Sequence, residues 1–191
     1  MLSERATLNN PTRQCGDRTD RNKKSVPEAR ALYQRIKTHR YIMSYIQSLY
    51  HIVFRTYCGE HTINVENERE LYAVILKQSE SLSVKLLRIG GMPDHLHLFV
   101  SLPATISVSQ YVQNVKAFSS KWLKDSPLFP KWRGWGREYA AISYSVKEKD
   151  VVINYIRNQK EHHKKHSFAE EYRSFLEENG VAIREEYFLK D

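Results

Sequence analysis

Cysteine is scarce in this chain, and long apolar runs are absent. The two cysteines, Cys15 and Cys58, stand alone without a CxxC spacing, which excludes a disulfide framework and a thiolate zinc site and suits a reducing cytoplasm. No stretch approaches the roughly 18 consecutive apolar residues that a membrane span needs. The first residues lack the apolar core of a secretory signal. There is no GxxxxGK[ST] loop, which argues against nucleotide-triphosphate chemistry of the P-loop kind. Basic excess is also thin where it would matter most. The formal net charge is +8, but residues 1–42 carry 10 Lys/Arg against 4 Asp/Glu, leaving only +2 for residues 43–191. Net charge therefore does not mark a nucleic-acid binder here, and local patches must be weighed instead.

What is present describes a folded domain, with 41% hydrophobic and 12% aromatic residues. Residues 1–42 read as a polar, basic extension, expected to be disordered except for a short helix over 28–42 through Leu32, Ile36 and Ile42. It is either a regulatory or DNA-binding arm or upstream sequence translated ahead of a start at Met43, and the second reading is favoured. From Tyr45 onward the pattern alternates. A strand is expected over Tyr45–Thr56, a helix over Asn67–Glu80 and a strand over Ser83–Ile89. Gly90-Gly91 reads as a turn before a strand over His95–Leu102. Ser107 with Gln110 forms a capping box for a helix carrying Val108, Val112, Val115, Phe118 and Trp122 on one face. A Pro/Gly-rich loop follows, then a short strand over Tyr139–Tyr144. A second capping box, Ser145 with Glu148, opens a long helix to about His166. A last helix carries Phe168, Tyr172, Phe175 and Leu176 on one stripe, with Gly180 as its stop. The order β-α-β-β-α-β-α-α predicts an α+β domain over 43–191. Its plan is ferredoxin-like (split βαβ), an antiparallel sheet with helices on one face, plus the long C-terminal helix.

The sharpest chemical feature is PDHLHLFV, residues 93–100. Strand alternation sends Leu96, Leu98 and Val100 to one face and His95, His97 and Phe99 to the other. The leucine face is expected under the helices and the histidine face on the open side of the sheet. Two imidazoles so spaced can converge on one metal ion. With eight histidines in the chain the pair alone is weak, and two solvated histidines on a surface strand would look the same. Asp94 is either an acceptor for a ring N–H or a turn residue. On the long helix, Tyr155 and Gln159 lie four apart on one face. Gln159 offers a neutral amide oxygen of the kind Mg²⁺ and Mn²⁺ accept, and Tyr155 a hydroxyl able to attack phosphorus. Taken alone, core packing is the favoured explanation of such a pair. His162 and His163, one or two turns on, are placed to touch phosphate or the metal, but solvated residues of a basic helix end are the favoured reading. Residues 110–149 hold eight Lys/Arg against three acids together with all three tryptophans. Lys116, Lys121, Trp132, Arg133, Trp135 and Arg137 are the DNA-contact candidates of that stretch. Core tryptophans beside a solvated basic face are the competing reading.

PDHLHLFV, followed some 60 residues later by NYIRNQ, resembles the insertion-sequence-200-like transposases, the single-tyrosine branch of the HUH endonucleases. The strand YHIVFRT (50–56) and the segment WGREYAAISYS (135–145) resemble the same family, so the likeness runs from about Met43 to Gly180. It implies that His95, His97 and Gln159 hold a divalent metal ion, Mg²⁺ or Mn²⁺, and that Tyr155 is the nucleophile. It also implies single-stranded DNA with hairpin ends as substrate. The implied assembly is a homodimer in which the tyrosine helix of one subunit completes the site of the other, in a bacterial or archaeal, nucleoid-associated setting. Residues 1–42 depart from the family's compact pattern, and the acidic end over 170–191 has no role in it. Three alternatives stay open: a domesticated relative that processes chromosomal hairpins, a non-catalytic single-strand binder, and a metal phosphohydrolase that uses water.

Overall fold

The computed structural model describes residues 45–191; the expected N-terminal extension lies outside the described residues. Strand β1, Ser48–Arg55, sends Tyr50, Ile52 and Phe54 to one face and Leu49, His51 and Val53 to the other. Helix α1 (Glu68–Ser81), strand β2 (Lys85–Met92), strand β3 (His95–Leu102), helix α2 (Val108–Asp125) and strand β4 (Ala140–Tyr144) follow. The four strands form one antiparallel sheet in the order β2-β3-β1-β4. That order, with both crossover helices on one face, is the ferredoxin-like arrangement.

The leucine face of β3 builds the main core. Leu96, Leu98 and Val100 are fully buried against Leu71 and Ile75 of α1 and Tyr111, Val112 and Val115 of α2. Each of those leucines contributes about 2 kcal/mol through burial. The Ser107–Gln110 capping box forms as expected. Phe118 was expected on the core face of α2 but is 43% exposed. Ser119 takes the inward position instead, donating to the Val115 carbonyl and accepting the Trp135 indole N–H.

Two expectations change on the other side of the sheet. Gly90 and Gly91 lie inside β2 and do not form its turn, which falls at Pro93-Asp94. Gly90 is needed because a Cβ there would sit 2.9 Å from the Ile156 carbonyl oxygen, so only glycine lets the tyrosine-bearing helix approach the strand this closely. The histidine face is not open: the C-terminal helices cover it. The expected single helix from Val146 to His166 is a 3-10 turn, helix α3 (Lys149–Arg157) and a short helix α4 (Gln159–His162). Asn158 breaks it at φ −95°, ψ 11°, its N–H shared between the carbonyls of Asn154 and Tyr155. Helix α5, Phe168–Glu178, then folds back across the sheet. Val152 and Ile156 pack on Leu49 and Phe99, and Tyr172 and Phe175 on Val53 and Ala140. Among the described residues no helix is long and apolar enough to cross a membrane.

Candidate active site

The site grows from register. β1 and β3 pair so that Val53 faces His97 and Arg55 faces His95, and paired residues of an antiparallel ladder share a face. His95 and His97 therefore stand side by side, their ring centroids 5.1 Å apart, and both are buried. Each has its second ring nitrogen occupied. His95 Nδ1 lies 2.7 Å from Asp94 Oδ1, so the ring donates there and keeps Nε2 free. His97 Nδ1 lies 3.0 Å from His51 Nε2. Burial pulls His51 down to about 4, against the opposing charge of Glu171. A neutral His51 can accept from the Nδ1–H of His97 and leave that Nε2 free as well. Burial, then the neighbouring His95 and His51, keep His97 well below the ordinary histidine range, in the neutral form a metal ligand requires.

Helices α3, α4 and α5 bring further groups to these nitrogens. The Tyr155 hydroxyl donates to Glu171 Oε1, and Gln159 Nε2 donates to the same oxygen at 2.7 Å. Glu171 Oε2 lies 3.7 Å from His95 Nε2, and Oε1 lies 3.7 Å from His97 Nε2. His163 Nε2 stands 2.7 Å from Oε2, off the line of a hydrogen bond, while His163 Nδ1 donates to the His166 carbonyl. Burial alone would raise the Glu171 carboxyl, but His163, the nearby His97 and the bonds from Tyr155 and Gln159 outweigh it and hold the group ionised. Tyr155 is pushed the other way, well above the usual phenol range, first by burial and then by the Glu171 charge. Burial opposes the charging of His163, but Glu171 raises it beyond its ordinary value.

One ligand atom each from His95, His97, His163 and Glu171 all lie within 4.8 Å of one another. The Nε2 atoms of the three histidines, Oε2 of Glu171 and Oε1 of Gln159 are buried without a hydrogen-bond partner. His95 Nε2, His97 Nε2 and Gln159 Oε1 without partners, beside a His163–Glu171 ion pair that lacks hydrogen-bond geometry, would be costly in an apolar interior. A divalent cation would satisfy them together, so the donor set fits a metal ion. The ring of Phe168 stacks on His95 at 4.3 Å, which closes the histidines from above. A cleft of about 440 Å³ opens beside Tyr155 and Glu171, lined also by His51, His162, His166 and Phe175.

The sequence-expected residues thus meet: Tyr155, His95, His97 and Gln159 surround a single carboxylate. Sequence reasoning missed Glu171 and His51, and its favoured reading of His163 as solvated is corrected, since that side chain is only 5% exposed and stands in the cluster. A signal existed for Glu171, an acid on the apolar stripe between Phe168 and Phe175 of α5, and for His51, a histidine inside an otherwise apolar strand. The DNA-contact candidates do not share this site. Trp135 packs edge-on against Phe54 at 4.9 Å and donates to Ser119, and Trp132 donates to Ser120 and packs against Trp135. Both rings therefore belong to the margin of the main core. The Lys116 ammonium is spent on the carbonyls of Gly136 and Glu138 at 2.9 and 2.8 Å. Arg133 pairs with Glu60. Lys121 and Arg137 are exposed.

The family model described as Transposase IS200 like matches residues 44–159, and the chain belongs to that family. The match takes in His95, His97, Tyr155 and Gln159 but ends before His163 and Glu171. The chain is 28% identical over 119 residues to the transposase for insertion sequence element IS200 of Salmonella typhimurium, covering 60% of this chain and 78% of that protein. The corresponding transposase of Salmonella typhi matches to the same extent. Among solved structures, a putative transposase from Deinococcus radiodurans R1 is similar, with 19% identity and a TM-score of 0.47 over 61% of this chain and 94% of that one. So is a REP-associated tyrosine transposase bound to a REP hairpin, with 14% identity and a TM-score of 0.47 over 62% and 70%.

Proposed function

We propose that this transposase cuts and rejoins single-stranded DNA at hairpin ends through a 5′-phosphotyrosine on Tyr155. In this reading a divalent metal ion is held by His95, His97 and Gln159, with His163 and Glu171 in reach as further donors. The observation that carries the reading is the set of unpaired buried nitrogen and oxygen atoms beside the tyrosine hydroxyl. Mg²⁺ and Mn²⁺ are the candidates, and a donor set rich in imidazole favours Mn²⁺. When bound, the ion supplies a Lewis acid for the scissile phosphate's oxygens.

The chain's own groups account for the rest. The Tyr155 oxygen attacks phosphorus, the bond from phosphorus to the 3′-oxygen breaks, and that oxygen leaves as a 3′-hydroxyl after taking up a proton. The phenolic proton is lost as the new bond forms and one proton is taken up by the leaving 3′-oxygen, while the Glu171 carboxylate, to which the hydroxyl donates, orients the phenol for attack. The phosphate stays esterified to Tyr155, so a 3′-hydroxyl from another end can reverse the step without a nucleotide cofactor. Because Phe168 and α5 cover the histidines, a strand reaches them only when α5 moves aside. One chain already holds Tyr155 near its own His97, ring centroids 6.0 Å apart. The homodimer with exchanged tyrosine helices would keep these contacts across its interface.

The test is incubation with labelled hairpin ends and Mn²⁺ or Mg²⁺, followed by a denaturing gel. A metal-dependent protein–DNA band, absent in Tyr155→Phe, is expected. Cleavage without such a band would make water the nucleophile and refute the covalent route.

A further inference from the structure

At the edge of the same sheet face lies a second cluster that the cleavage chemistry does not use. Arg55, the cross-strand partner of His95, extends a guanidinium that is 11% exposed. Its Nη2 is 2.9 Å from Asp191 Oδ2 yet has no hydrogen bond in line with it. The backbone N–H of Cys58 donates to Oδ2 at 2.5 Å, and that of Arg137 donates to Oδ1 at 3.3 Å. The Asp191 side chain is 3% exposed. Gly136 completes the seat, because a Cβ there would lie 2.6 Å from Asp191 Oδ1 and fill the space of that oxygen. Two backbone N–H donors and the Arg55 guanidinium, from residues 55–58 and from the loop at 136–137, thus converge on one carboxylate. It arrives on the segment that follows α5, which is anchored by the Arg173–Glu185 pair and by Phe188 stacked on Tyr172.

We propose that Arg55, the N–H groups of Cys58 and Arg137 and the gap at Gly136 form a binding site for a backbone phosphodiester of the DNA strand, next to the metal centre, and that the Asp191 carboxylate occupies it in place of phosphate. The inference rests on the DNA reading above. An arginine fork with convergent backbone N–H groups is the donor set that phosphate oxygens take. A planar carboxylate leaves the buried Nη2 without an aligned acceptor, whereas a tetrahedral group presents oxygens in further directions. Asp191 therefore competes with the strand, and the apparent affinity for phosphate falls by the fraction of molecules in which Asp191 is seated.

The experiment measures binding of inorganic phosphate and, separately, of a labelled oligothymidylate to the full chain with chelator present, so that the metal centre plays no part. Asp191→Ala is expected to tighten both by about tenfold, the scale of one displaced charge-assisted contact. The added substitution Gly136→Ala is expected to abolish the gain for both probes by filling the seat. Should Asp191→Ala unfold, Asp191→Asn removes the charge with less change in shape. Unchanged or weaker phosphate binding by a folded Asp191 variant overturns the site and leaves Asp191 a structural tie. A gain for phosphate without oligothymidylate binding upholds the site and counts against the DNA reading instead.

Discussion

Replacing Glu171 by Gln separates the metal reading from plain core packing. In wild type, a divalent ion at 100 times its dissociation constant stabilises the fold by about 2.7 kcal/mol. At about 2–4 °C per kcal/mol for a chain of this size, that is a rise of about 5–11 °C in melting temperature. Glu171 brings the anionic oxygen of the cluster, and its Oε2 is one of the atoms left without a hydrogen bond. Losing it should weaken the metal by about 100-fold, the upper end of what disturbing a ligand shell costs. The same ion concentration then equals the dissociation constant, and the stabilisation shrinks to about 0.4 kcal/mol, a shift of about 1 °C. The metal-free variant will also melt lower, by about 1–3 kcal/mol, because Tyr155 and Gln159 lose a charged acceptor. The quantity to compare is therefore the metal-induced shift, measured by calorimetry with chelator and with Mn²⁺. A Glu171→Gln protein that keeps the full shift would refute its role as a ligand, and a wild type that shows none would refute the metal centre.

The buried His51 makes a second prediction. Its folded value of about 4 lies below the unfolded 6.5, so the unfolded chain takes up the proton first as pH falls. Its contribution is fully present above about pH 6.5 and is lost towards pH 4, about 3 kcal/mol in all. Urea unfolding of metal-free protein should show this slope and His51→Gln should flatten it; equal slopes would dismiss the assignment. Trp135→Ala should cost about 2–4 kcal/mol of stability through lost packing on Phe54 and the lost bond to Ser119. Single-strand affinity measured below the melting point should be unchanged in that variant. A large affinity loss with little destabilisation would return the ring to base stacking.

Local pattern carried far along this chain. Strand β3 ends where its alternation ends, the Ser107 and Ser145 capping boxes form, and Gly180 stops the last helix in a left-handed conformation, φ 69°. These features depend on neighbours within four residues, so a linear sequence contains them. The element order then left few ways to arrange the sheet, and the ferredoxin-like one is found. The break at Asn158 escaped because no proline or glycine announces it and the apolar spacing runs on through it. The misplaced turn at Gly90-Gly91 escaped because the demand for glycine there comes from Ile156, far along the chain.

By itself the sequence determined the strand that carries His95 and His97, the helix face shared by Tyr155 and Gln159, and the family to which both belong. Only the tertiary structure decided that the histidine face is covered, that Glu171 stands between the tyrosine and the histidines, and that His51 and Asp94 set which ring nitrogens stay free. It likewise placed Asp191 against Arg55, 136 positions apart in the chain. The physical reason is the same in each case. A period of two or of 3.6 says which side of an element a residue occupies, but not what meets that side. That is settled when α5 folds back to bury its apolar stripe on Val53 and Ala140, carrying Glu171 with it into the site.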